Sequence, residues 1–245
     1  MNKRGQISVF IVVAIVIVAG LLIYFSLREG PTVSVNPEIA PVFNFVQNCV
    51  EKSTLDAVYH IGQYGGYYVI PEKVTTSKIP IYVDNGKNLL PSKIQIEKEL
   101  SDYIENRLFF CTRNFVDFPT FEIDSSEVES LVTIENDKIK FDVRYPLRVS
   151  TDGKVYEISN FEYEVESRLS EIYEIVDYII GDKLENSKSL CVTCLYQLAQ
   201  EKEIVVLINK DPFDKKILIF TLIDGKDRQE GEEYVYYFAV RGENG

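Results

Sequence analysis

The first pattern along the chain is an uncharged apolar run at residues 7–27, which follows Lys3 and Arg4. A helix of these 21 residues rises about 31 Å, close to the roughly 30 Å hydrocarbon thickness of a bilayer. A cleavable secretory peptide has an apolar region of only about 7–15 residues, so we expect this run to stay attached. The pattern predicts a single transmembrane helix over 7–27, a cytoplasmic basic N-terminus at 1–6 and a linker at 28–40.

Helical spacing of apolar residues defines the next region. Residues 41–63 repeat apolar positions every three or four residues, and glycines follow. Ser92 and Gln95 form a capping box that opens a second such pattern. Residues 67–91, interrupted by prolines, predict a loop with short extended pieces. We therefore expect residues 41–118 to form a helical subdomain in which two amphipathic helices pack together.

After residue 118 the apolar period changes from 3.6 to 2, which is typical of half-buried strands. Residues 119–245 predict an α+β extracytoplasmic domain with a largely antiparallel sheet, in the order βββ-αα-βββ. Segments 204–208 and 217–223 are nearly all apolar, as central strands are. Segment 234–241 is aromatic enough to be a covering strand. The predicted fold class is thus α+β, with an N-terminal single transmembrane helix and two amphipathic helices before the sheet.

Composition and charge limit the classes of partner. The chain has 245 residues, of which 46% are hydrophobic, enough for a sizeable core. The first thirty residues carry a charge of +2, from Lys3, Arg4 and Arg28 against Glu29. Because the whole chain carries −12, residues 31–245 carry −14. No basic run follows Arg28, and phosphate backbones are bound mainly through Lys and Arg. We expect no nucleic-acid partner.

Four cysteines are the main chemical signal. An even number of cysteines in an exported domain favours disulfides. Cys49 and Cys111 lie on the apolar faces of the two helices that must meet, so we predict that they are bonded. Cys191 and Cys194 form a CxxC motif, which predicts a local structural disulfide. The alternatives are redox exchange with Cys191 as nucleophile and Cys194 as resolving thiol, or a metal site or free thiols. A zinc site with four cysteine ligands would need a second CxxC.

No other catalytic or cofactor motif is present. His60 is the only histidine, and the chain has no GxSxG, no Walker loop and no GxGxxG. We assign no catalytic residue, no metal site and no cofactor.

The basic N-terminus carries one resemblance. Lys3-Arg4-Gly5-Gln6-Ile7-Ser8 resembles the archaeal class III signal segment, which implies cleavage by a prepilin-type peptidase between Gly5 and Gln6. Phe10 stands where pilin-like segments place an acidic residue, whose carboxylate would pair with the terminal amine of a neighbouring subunit. The chain as a whole is similar to membrane-anchored surface proteins of small-genome archaea.

These observations predict a single-pass protein of the cell membrane, with its N-terminus in the cytoplasm and its C-terminal domain at the cell surface. The expected role is structural or interactive, without catalysis. The expected partners are the lipid bilayer through residues 7–27 and a protein at the cell surface, with self-assembly possible. One alternative is a pilin-like filament subunit processed at Gly5-Gln6. The other is a membrane-tethered thiol oxidoreductase that uses Cys191 and Cys194.

Overall fold

The computed structural model describes four stretches of the chain, namely residues 15–20, 36–186, 189–229 and 231–242. The chain divides into two compact units, Met1–Ala40 and Pro41–Gly245. The predicted signal cleavage at Gly5-Gln6 lies outside the described residues, as does the basic pair before it.

The predicted fold class needs correction in its transmembrane helix. Among the described residues, no helix combines the length and the apolar character needed to cross a bilayer. Of the predicted span 7–27, residues 15–20 are described and helical, and the other positions lie outside the described residues.

The α+β class itself is confirmed, with more strands than expected. The helices after residue 35 are α1 (Ala40–Gln63), α2 (Lys93–Thr112), α3 (Leu169–Glu185) and α4 (Val192–Glu201), with a 3₁₀ turn at Arg113–Phe115. The strands are β1 (Ile81–Asp84), β2 (Lys87–Asn88), β3 (Glu122–Ser125), β4 (Glu129–Ile134), β5 (Lys138–Thr151), β6 (Lys154–Glu166), β7 (Val205–Lys210), β8 (Ile217–Gln229) and β9 (Glu232–Arg241). Within residues 119–245 the described order is ββββ-αα-βββ, one strand more than the predicted βββ-αα-βββ, and the two further strands β1 and β2 lie between α1 and α2.

The first sheet is built on the long hairpin of β5 and β6. Asp152 and Gly153 make its two-residue turn with positive φ values of 49° and 74°, the backbone that such hairpins require. β3 and β4 pair in succession with the other edge of β5. A bulge interrupts the hairpin, because Tyr145 and Pro146 together oppose Ser159. Proline has no N–H for a ladder bond, so a bulge is the position where a strand tolerates it.

The second sheet has the strand order β2-β1-β9-β8-β7. All its pairings are antiparallel except that of β1 with β9, which is parallel. The last strand of the chain is therefore central and β7 is an edge strand, the reverse of the predicted roles. Tyr82, Phe238 and Phe220 stack across β1, β9 and β8, with ring centroids 5.0 and 4.9 Å apart. This aromatic row fixes the central strands to each other.

The end of α1 lies directly against β9. An added Cβ at Gly62 would stand 2.5 Å from the carbonyl oxygen of Val235 and 2.8 Å from the Tyr234 ring. At Gly65, where φ is +55°, it would stand 2.5 Å from the carbonyl oxygen of Tyr237. Only glycine permits this close approach. Gly62 and Gly65 therefore allow the end of α1 to pack against β9 of the second sheet.

Candidate functional site

Cys49 and Cys111 lie at disulfide distance, as the sequence predicted. Their sulfurs are 1.98 Å apart, and the bond joins α1 to the end of α2 across 62 positions of sequence. Phe45 on α1 contacts Phe115 and Phe118, which follow α2, so an aromatic cluster surrounds the same junction. The bond fastens two packed helices and offers no free thiol.

Cys191 and Cys194 form the second pair, with their sulfurs 1.92 Å apart at the start of α4. Cys191 N donates to Asp182 Oδ2 at 3.1 Å, and Cys194 N donates to Cys191 Sγ at 3.3 Å. Helix α3 precedes the motif, whereas the thioredoxin pattern has a strand there. These contacts favour a local structural disulfide that holds the start of α4 next to α3. Redox exchange stays a prediction.

A polar groove of about 510 Å³ lies near the start of α3. Arg168 donates to both carboxylate oxygens of fully buried Asp224 and to Glu171. The Arg168 hydrogen bond is the main cause that lowers the pKa of Glu171 from its ordinary value. Lys202 forms an ion pair with Glu174, and Lys226, the other lysine that lines the groove, forms one with Glu203. Each of these three cations has an acidic partner, so the groove presents no unpaired cation to a ligand.

Metal binding finds no support in the described part of the chain. No group of three or more His, Cys, Asp or Glu side chains there could hold a metal ion. His60 instead packs among tyrosines: its ring centroid is 4.5 Å from that of Tyr64 and 5.0 Å from that of Tyr103, and its Nε2 lies 3.3 Å from the Tyr68 carbonyl oxygen.

We expect His60 to titrate below its ordinary pKa of 6.5. Burial lowers the pKa, the contact with the Tyr68 carbonyl opposes this, and the Arg107 charge lowers it further. Neutral His60 therefore stabilises the fold above pH 6.5, and that contribution is lost as the pH falls through the folded pKa. Because the chain has one histidine, ¹H NMR follows a single imidazole. Its midpoint should lie below that of the urea-unfolded chain, and an equal or higher midpoint would contradict the burial argument.

β7 presents a free, apolar strand edge. It pairs with β8 without a register shift, and no described strand lies on its other side. Both faces carry apolar side chains: Val205 and Leu207 are 54% and 45% exposed on one face, and Ile208 is 37% exposed on the other. No charge occurs from Val205 to Asn209. An uncharged strand edge of this kind is a template for a further strand.

Two other strand edges of the molecule are protected. β2 is only two residues long, is exposed and carries Lys87. β4 lies against α2, where Glu97 Oε1 accepts a hydrogen bond from Ile134 N and Glu105 Oε1 accepts one from Ser130 N, each at 2.9 Å. Short length, a lysine and coverage by a helix are the usual means of blocking edge pairing. β7, with six residues, is longer than β2 and has no lysine before Lys210.

The exposed face of β7 continues across its sheet. Leu207 is in register with Thr221, which is in register with Tyr237, and the last two side chains are only half-buried. The neighbouring row, which begins at Val205, is exposed or half-buried in the same way. A polypeptide added at β7 would therefore extend an apolar surface as well as a hydrogen-bonded ladder.

The sequence predicted the cysteine pairs but missed this edge. An all-apolar segment was interpreted as central, because central strands are apolar on both faces. Asn209 and Lys210 at the end of β7 are the signal that could have revealed the edge, since polar residues and lysine are typical of edge strands.

No protein family, no curated protein and no solved structure matches the chain.

Proposed function

We propose that this chain is an extracytoplasmic interaction protein that binds another polypeptide by strand addition at β7. The observation that carries the proposal is the edge of β7, which is apolar on both faces and has no described strand beside it, while β2 and β4 are blocked. In strand addition, main-chain hydrogen bonds supply affinity and alternate side chains supply specificity.

The two cysteine pairs support the location of this function. Disulfides persist in oxidising compartments and are rare in the cytosol. The Cys49–Cys111 and Cys191–Cys194 bonds therefore favour a domain that works outside the cytoplasm. The charge of residues 31–245 is strongly negative, which disfavours nucleic acid as the partner.

A photo-crosslinking amino acid in place of Leu207 tests the proposal in cells that make the full chain. We expect a discrete adduct of higher mass, because the added strand lies within reach of that side chain. Leu131 is the matched control: it is 66% exposed, apolar and on a strand, but its strand β4 is covered by α2. The same probe at Leu131 should give no adduct.

A second substitution makes the outcome specific to the edge. Val205→Lys in the Leu207 probe variant should abolish the adduct, because it places a charge in the apolar edge. Val205 is 54% exposed, so this change should leave the melting temperature nearly unchanged. Equal adducts at Leu207 and Leu131, or none at either, would rule out strand addition at β7.

A further inference from the structure

We propose that the Cys191–Cys194 disulfide is a redox site that oxidises a polypeptide carrying two thiols, which attacks the bond at the sulfur of Cys194. The site lies at the start of α4 and goes beyond strand addition at β7, on which it does not depend.

The two disulfides of the chain differ in the exposure of their cysteines. Cys49 is 2% exposed and Cys111 is half-buried, where the bond joins α1 to α2. Cys194 is exposed, and Cys191 is half-buried. Disulfide exchange requires that a thiolate reach one sulfur of the bond, so the rate depends on access. Cys194, as the most exposed of the four cysteines, is therefore the point of attack.

Cys191 has a position that favours a leaving thiolate. It is the N-cap residue of α4, and its Sγ accepts a hydrogen bond from Cys194 N at 3.3 Å. The N–H groups at a helix N-terminus favour negative charge, which lowers the pKa of a thiol there. A disulfide opens faster when the leaving thiol has a lower pKa. Attack at Cys194 thus releases the sulfur that the helix stabilises.

Two charged side chains of α3 lie beside the same turn. Asp182 Oδ2 accepts a hydrogen bond from Cys191 N at 3.1 Å, and Lys183 Nζ donates one to Ser189 O at 3.4 Å. A carboxylate raises and an ammonium lowers the pKa of a nearby thiol, so the two side chains oppose each other. The N–H groups of α4 then decide the direction. The hydrogen bond to Asp182 involves no sulfur, so it also keeps α4 next to α3 when the disulfide opens.

The exchange moves two electrons and two protons. A substrate thiolate attacks Cys194 Sγ and breaks the S–S bond, and Cys191 Sγ leaves as a thiolate. The second substrate thiolate then attacks the substrate sulfur of this mixed disulfide and releases the Cys194 thiolate. The substrate gains a disulfide, and the protons of its two thiols end on Cys191 and Cys194.

Exposed apolar side chains next to the motif favour a polypeptide substrate. Val192 lies between the two cysteines and is 62% exposed, and Tyr196, one turn later on α4, is 64% exposed. Residues four positions apart are neighbours on a helix surface, so these side chains form one patch. A polypeptide can bury this patch, whereas glutathione, a small hydrophilic thiol, offers it little apolar surface.

Oxidation of a synthetic peptide by the full chain tests the site. The probe is an excess of reduced peptide with two cysteines and apolar side chains between them. We expect one peptide disulfide per chain, with Cys191 and Cys194 opened to alkylation and Cys49 still bonded, as mapped by mass spectrometry. The matched control, Cys191→Ser with Cys194→Ser, should leave the peptide reduced. Tyr196→Ser should slow peptide oxidation several-fold and leave the slower reaction with glutathione unchanged.

A peptide with a single cysteine identifies the attacked sulfur. Rapid quenching with N-ethylmaleimide should leave the peptide on Cys194 and the maleimide on Cys191. In the Cys194→Ser variant, the alkylation rate of Cys191 should have its midpoint below the ordinary pKa of about 8.5.

The possible results overturn different parts of the proposal. A peptide that stays reduced beside the wild-type chain would leave the disulfide a purely structural role, while strand addition at β7 keeps its own test. A peptide found on Cys191, or a midpoint at or above about 8.5, would overturn Cys194 as the attacked sulfur. An unchanged peptide rate in Tyr196→Ser would overturn the patch on α4 as the docking surface.

Discussion

Replacement of both Cys49 and Cys111 by alanine is expected to lower the free energy of unfolding by about 4 kcal/mol. The bond closes a loop of 62 positions, and removal of that constraint lets the unfolded chain gain the corresponding loop entropy. For a chain of this size the melting temperature should fall by about 10 °C. Urea unfolding followed by circular dichroism, with oxidised wild type as reference, measures the change.

The second disulfide provides the matched control. The double change Cys191→Ala and Cys194→Ala opens a loop of only three positions, for which the same arithmetic gives about 1.5 kcal/mol. The loss from the first pair should therefore exceed the loss from the second by more than 2 kcal/mol. Equal losses would show that loop closure is not how the Cys49–Cys111 bond stabilises the domain.

Gly62→Ala is expected to destabilise the fold by about 2–3 kcal/mol, because the new methyl group overpacks the contact between α1 and β9. Its nearest neighbour, the carbonyl oxygen of Val235 at 2.5 Å, belongs to the backbone of a central strand and cannot turn aside as a side chain can. The Tyr234 ring, at 2.8 Å, is itself buried. Thermal and urea unfolding of the full chain measure the loss.

Gly181 is the control for this prediction, since it is also a helical glycine. An added Cβ there meets no atom within 4 Å. Alanine has a higher helix propensity than glycine, so Gly181→Ala should stabilise the domain by up to about 1 kcal/mol. The two substitutions are chemically identical and should have opposite signs. A shared sign would contradict the close approach of α1 to β9.

Features set by neighbouring residues in sequence were predictable. The apolar repeat placed a helix at 41–63, and the structure has it at Ala40–Gln63. The predicted cap at Ser92 is present, where Ser92 Oγ accepts a hydrogen bond from Gln95 N at 3.2 Å. The cysteine pairing followed from the same helix faces. Each of these predictions uses interactions within a few residues or between two faces that have few alternatives.

Features set by distant pairing were not predictable. Residues 81–84 were predicted to lie in a loop with short extended pieces; they form β1, a strand of the second sheet, because β9 lies beside them. The position of β7 at the edge of its sheet also depends on distant pairing. The partners of an apolar strand, and not its own composition, decide whether it is central or at an edge. β7 and β9 accordingly exchanged their predicted roles. The candidate interaction site was missed for that reason.

The central position of β9 also dictates an order of events during synthesis. Ile81 pairs with Ala239, which follows it by 239 − 81 = 158 positions. At the usual rate of about 5–20 residues per second, β1 waits about 8–30 s for its partner. Cys111 appears early in this interval, so the Cys49–Cys111 bond can already hold α1 to α2 while the second sheet is still incomplete. Both cysteines are thus synthesised well before the last strand, which completes the second sheet.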